Sequence, residues 1–257
     1  MKLTPEHIQE NWDKLIDIVE TTFEGERKDK LLEMYDYFKD RAMFAPASGV
    51  VYYHNAWPGG YVEHILNITE CSKRIYLMWK DMGGHTDEYT EESVVFCALH
   101  HDLGKLGDLK EDYYVPNESE WHRINQGKMY GYNDKLHYMT VTDRAVWLLN
   151  HFGIEMTQIE YLALRLTDGM YEDANKGYLM GFGEGKNLKT NLPLILHQAD
   201  MMATHIEGDE WKRGEEQEEI RVQGNVENIK KAVTMKETSE ELSQKSKDLF
   251  NELFGEK

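Results

Sequence analysis

The run Val94-Val95-Phe96-Cys97-Ala98-Leu99-His100-His101-Asp102-Leu103-Gly104-Lys105 constrains this chain more than any other segment. Six apolar residues follow Thr90, Glu91 and Glu92, which suit a helix N-terminus by capping and by dipole. A helix that is apolar nearly all round belongs at the centre of a fold. This one ends in an adjacent imidazole and carboxylate, His101 and Asp102, just before a glycine turn. Burying that pair is costly unless each group has a partner, and one divalent ion would serve both. On this segment alone a plainer reading stays open, in which His101 is hydrogen-bonded and Asp102 caps the next turn.

Helical spacing recurs along most of the chain. Thr4-Pro5 starts a helix that carries Ile8, Trp12, Leu15 and Val19 to about Glu20. A second helix runs from about Lys28 to Phe44 and stops at Ala45-Pro46-Ala47-Ser48-Gly49. Pro58-Gly59-Gly60 introduces a third, with Tyr61, Ile65, Ile68, Ile75 and Trp79 in one stripe and His64 beside it. From Gly104 to about Lys135 the periodicity fails, which marks a long connection of a functional or mobile kind, the candidate lid. Helices resume at Tyr138 to Phe152 and at Thr157 to Thr167, where Thr157 and Glu160 have capping-box spacing. After an irregular stretch from Tyr171 to Lys189, Asn191 and Pro193 start a helix carrying Leu196, Ala199, Ala203 and Ile206. The expected architecture is all-α, with a catalytic domain over 1–206 and an acidic linker and helical tail over 207–257.

The helix from Asn191 adds two further polar residues to the argument. Within Leu196-His197-Gln198-Ala199-Asp200 a histidine and a carboxylate share one face. An aspartate set among apolar helix residues needs a reason to be charged, and a shared ion supplies one. His64, placed on its helix by the tight turn before it, is the remaining candidate.

These segments resemble the HD superfamily of metal-dependent phosphohydrolases. The helix after Pro-Gly-Gly, the His-Asp-Leu-Gly-Lys motif and the late Ala-Asp are most similar to the HD domain of bacterial YhaM-type 3′-to-5′ exoribonucleases. The resemblance covers roughly His54 to His205 and does not include the oligonucleotide-binding domain of those enzymes. It implies an HD-domain helical bundle in which His64, His101, Asp102 and Asp200 hold the metal. Asp102 would bind the ion, orient the attacking water, or both. Lys105 resembles the lysine near the substrate phosphate, its alternative being a surface lysine that completes a turn. The implied cofactor is a divalent ion, Mn, Mg or similar, present as one ion or two. His137 stands where two-metal members have an extra ligand. Asp168 stands where they tend to show His-His-Gly, and serves either as an oxygen ligand or as turn chemistry before Gly169.

Composition narrows the substrate. The 257 residues carry 47 acidic against 29 basic side chains, a formal charge of -18, so a polyanion meets net repulsion. A small nucleotide needs only local compensation, for which the lid offers Arg123 and Lys128, with Tyr130 among the aromatics suited to stacking a base. The expected activity is therefore hydrolysis of a phosphate ester or anhydride of a small nucleotide, as a nucleotidase or nucleoside triphosphohydrolase. Exonuclease or phosphodiesterase action on RNA or oligonucleotides is the alternative. Two more distant alternatives are a di-iron HD oxygenase, with His137 and Asp168 completing six ligands, and a degenerate HD domain used as a binding module. Two cysteines without a paired motif, no basic-then-apolar leader and no run of about 18 apolar residues lead to the expectation of a cytoplasmic protein without a membrane segment.

Overall fold

The computed structural model describes residues 3–181, 183–185 and 187–214. The fold is all-α, as the periodicity predicts, with one small two-stranded ribbon added. The chain divides into two units, Met1–Asp209 and Glu210–Lys257. Of the second unit only residues 210–214 are described, and they are helical. The expected tail helix over Val226 to Phe254 lies outside the described residues.

The first unit is built from α1 (Pro5–Thr22), α2 (Gly25–Phe44), α3 (Gly60–Asp81), α4 (Glu91–His100), α5 (Glu120–Gln126), α6 (Val141–His151), α7 (Gln158–Arg165) and the short α8 (Lys176–Leu179). A last helix, α9, occupies residues 192–209 of this unit. The helix starts are those that side-chain capping dictates. Thr4, Thr90 and Thr140 each accept a hydrogen bond from a backbone N–H of the first turn, and Thr157 forms a full capping box with Glu160. α4 is the hub: Val94, Val95, Phe96, Cys97, Ala98 and Leu99 are all buried, and it packs chiefly on α3. Leu15 and Val19 of α1, Tyr35 and Phe38 of α2, Leu148 of α6, Leu164 of α7 and Ile195 of α9 belong to the same core. Glu160 has a second use, since its buried carboxylate meets Arg27 of α2 at 2.9 Å while Arg27 lies over the Phe96 ring.

Two close approaches fix the loops around the end of α4. A Cβ at Gly60 would run into the carbonyl oxygen of Asn55, so the first residue of α3 can press against the loop before it only as glycine. A Cβ at Gly104 would meet the carbonyl of Val141 in the same way, which lets the 3-10 turn Leu103–Leu106 pack on the start of α6.

The connection read as a lid has structure of its own. β1 (Tyr114–Pro116) pairs antiparallel with β2 (Tyr130–Tyr132), Tyr114 opposite Tyr132, and α5 lies between them in the chain. The ribbon is pinned to the loop before α3 by Tyr130 N donating to Gly49 O at 3.1 Å and Val51 N to Gly127 O at 3.0 Å.

Candidate metal centre

Three segments deliver the polar residues to one place. His64 sits in the second turn of α3, His101 is the C-cap of α4, and Asp102 follows it in a non-helical conformation that turns its carboxylate back toward both rings. Asp200 arrives from α9. His64 is fully buried, His101 and Asp102 nearly so. Asp102 Oδ2 lies 3.4 Å from His101 Nε2 and 3.6 Å from His64 Nε2, and Asp200 Oδ1 lies 3.7 Å from His64 Nε2. Lys105 Nζ reaches the same Asp102 oxygen at 2.6 Å.

Both Nε2 atoms, of His64 and of His101, are buried without a hydrogen-bond partner among the described residues. Their other nitrogens are occupied: His101 Nδ1 lies 2.8 Å from Ala98 O, and His64 Nδ1 lies 2.8 Å from Glu207 Oε2. With an ion bound, a proton on each Nδ1 would leave each Nε2 as a lone pair on the side of Asp102. Ligand atoms bound at about 2.1 Å around one ion stand roughly 3.0–3.4 Å apart, close to the separations of this cluster before any closure onto an ion. His64, His101 and Asp102 therefore fit a divalent ion; Asp200, expected from the sequence as a fourth ligand, lies outside both metal-ligand groups found among the described residues, its Oδ1 3.7 Å from His64 Nε2.

The electrostatics agree with that donor set. Burial alone would lower the pKa of His101, but the Asp102 carboxylate, with Asp200 behind it, raises it to about 9. Burial would raise the Asp102 carboxyl, but Lys105 and His101 hold it well below the usual carboxylate range. Lys105 is pushed above the ordinary lysine value by Asp102, against the effect of its burial. Without an ion, the positive charge of the site is thus supplied by a proton on His101 and by Lys105, the two charges that an ion would replace or join.

Asp168 is partly drawn in. Burial raises its pKa, and the nearby charges of Asp102 and Asp200 add to the effect, while Thr142 Oγ1 donates to its Oδ2 at 3.2 Å. It belongs to neither metal-ligand group found among the described residues. The His137 side chain is exposed, although its carbonyl accepts from Arg144 at 3.0 Å. His197, which shares a helix with Asp200, turns to the carbonyl of Thr167 at 2.8 Å.

Of the lid residues, Tyr130 lines a cavity of about 220 Å³ together with Lys105, Tyr113, Tyr114 and Pro46. Arg123 and Lys128 are exposed and do not line it; Arg123 donates to the carbonyl of Asn117 on its own loop.

Two residues beside the ligands escape the sequence reading. Glu207, placed there at the start of the acidic linker, is buried in the first unit against His64. Its one sequence signal is the interval of seven from Asp200, two helical turns along the same face. His54 packs its ring on His64, centroids 4.4 Å apart, and neither of its nitrogens has a hydrogen-bond partner among the described residues. Burial, reinforced by His64 and Lys105, pushes its pKa down to about 2, so it stays neutral.

No family model, curated protein or solved structure matches this chain.

Proposed function

We propose that this chain is a metal-dependent phosphohydrolase acting on a phosphate ester or anhydride of a small nucleotide. The observation that carries the proposal is the pair of buried, unpartnered Nε2 atoms converging on Asp102, with Lys105 bonded to the same carboxylate. A divalent ion held there supplies Lewis acidity toward a phosphoryl oxygen and lowers the pKa of a water. His64 and His101 hold it as neutral imidazoles, which requires His101 to give up its proton. Lys105, once Asp102 is shared with an ion, turns its Nζ to a phosphoryl oxygen and balances charge developing there. The neighbouring cavity, walled by Tyr113, Tyr114 and Tyr130, has room for a planar ring next to that lysine.

The formal charge of -18 favours a substrate with few charges over a long polyanion. The oxygenase alternative draws less support, because the His137 side chain it needs as a sixth ligand is exposed. Among the described residues no helix is long and apolar enough to cross a membrane.

The test is hydrolysis of a panel of mononucleotides, dinucleotides and single-stranded oligonucleotides after chelation and after return of Mn or Mg. Activity lost on chelation, restored by metal and fastest on mononucleotides is the expected result. Full activity without metal removes the reading, and processive digestion of RNA moves the substrate to the exonuclease alternative.

A further inference from the structure

Among the described residues, two groups of metal-ligating atoms share His64. One joins it to His101 and Asp102, the other to His54 and Glu207, and within each group the atoms lie within 4.8 Å of one another. A neutral imidazole has a single lone pair, so it serves one side only, and the proton on its other nitrogen decides which.

Glu207 is 4% exposed and uses both carboxylate oxygens. Oε2 lies 2.8 Å from His64 Nδ1, and Oε1 accepts from Asn67 Nδ2 at 2.7 Å. Asn67 is three residues beyond His64 on α3, on the same face of the helix. An ionised carboxylate only accepts, so the short contact requires a proton on Nδ1. Asn67 in turn stops the carboxylate from rotating away. With Nδ1 committed, the remaining lone pair is on Nε2, which faces Asp102 and Asp200 at 3.6 and 3.7 Å.

We infer that Glu207, held by Asn67, is the positioning residue of this centre: it fixes His64 as the Nδ1–H tautomer and so directs the ion to the His101–Asp102 side of the ring, away from His54. The inference rests on the metal-dependent reading above. It gives α9 two duties, with Asp200 beside the ion and Glu207 behind a ligand two turns later.

The tautomer can be read directly in metal-stripped, 15N-labelled protein, from the His64 ring resonances at a pH where the ring is neutral. The wild type should show Nδ1–H, and Glu207→Ala a mixture of tautomers. Titration with Mn or Zn should show Glu207→Ala binding about 10- to 100-fold more weakly, with partial recovery in Glu207→Gln, whose amide oxygen still accepts from Nδ1. His101→Ala should lose binding by at least about 100-fold, while His54→Ala stays within about threefold of wild type, since only ligands and their orienting partners carry the affinity. An Nε2–H tautomer in the wild type overturns the inference, as does unchanged tautomer and affinity in Glu207→Ala, or a loss in His54→Ala equal to that in His101→Ala. A wild type that binds no ion ends the metal-dependent reading instead, and its spectrum still decides whether Glu207 fixes the ring. That spectrum needs no variant, so a misfolded Glu207→Ala leaves the question decidable.

Discussion

Lys105 closes a 2.6 Å ion pair on Asp102 through Oδ2, the oxygen that also lies 3.4 Å from His101 Nε2. A lysine and a divalent ion therefore draw on one oxygen. Removing the lysine in Lys105→Met should raise metal affinity, by roughly tenfold for the loss of one neighbouring positive charge. Turnover should fall by about 10²–10³, the usual loss when one donor to a developing oxyanion is deleted. Parallel metal titration and steady-state kinetics check both signs, and a fall in metal affinity would show that Lys105 supports the ion instead.

His100, next in sequence to the centre, has a separate structural task. It is fully buried between Tyr35, whose hydroxyl lies 3.1 Å from Nε2, and the carbonyl of Phe96, 2.6 Å from Nδ1. Burial lowers its pKa to about 3, against the carbonyl's pull in the other direction. The folded state then binds fewer protons than the unfolded state between about pH 3 and 6.5, so stability falls as pH drops through that window. Between pH 7 and 5 the loss from this group is about 2 kcal/mol. Urea unfolding at the two pH values should show a loss larger by about that amount in the wild type than in His100→Gln, where the neutral His54 still contributes its own; equal losses in both would remove His100 as the cause.

One tightly bound ion per chain is expected for the wild type and for Asp168→Ala alike. Asp168 is outside both metal-ligand groups found among the described residues, and the His137 side chain is exposed. Native mass spectrometry after Mn or Zn loading counts the ions. Two in the wild type falling to one in the variant would establish a second position with Asp168 as its ligand.

Glu160→Ala should destabilise the fold by about 2 kcal/mol, because it removes the buried partner of Arg27, which keeps its pair with Glu92 at 3.0 Å, and also the capping-box acceptor of Thr157 N. The carboxylate has no exposed surface, and Arg27, which it meets at 2.9 Å, is about one-fifth exposed. Glu160→Gln keeps the volume and a hydrogen-bonding end, and should lose less. Denaturant titration of both variants separates the charge from the shape, and equal stability in all three proteins would mean that the pair adds nothing net.

The helices were legible in the sequence because their causes are local. Thr4-Pro5, Thr90, and Thr157 with Glu160 mark starts, and the spacing of Ile8, Trp12, Leu15 and Val19 shows which side of α1 is buried. His64, His101 and Asp102 stood out because polar groups in apolar helices need partners, and the structure brings them together. The ribbon was not legible, since two strands of three residues are too short for alternation to register. Neither was α5, which buries no side chain and so carries no apolar stripe. Glu207 was hidden for a different reason: its partner is 143 residues away, and its neighbours Gly208, Asp209 and Glu210 give it the composition of a solvated linker.

Because Asp200 and Glu207 are set on α9 seven residues apart, the helix works as a ruler whose graduations are turns. Substituting the exposed Met201 or Met202 changes nothing on that scale. Inserting or deleting a single residue between them rotates one carboxylate by about 100° against the other and shifts it about 1.5 Å along the axis, so that only one can remain at its station. Descendants of this sequence are thus free to vary the exposed letters between the two carboxylates, such as 201, 202 and 206, but not the buried Ala203 nor the number of residues, and a length change there would mark a copy that has given up the centre while keeping the fold.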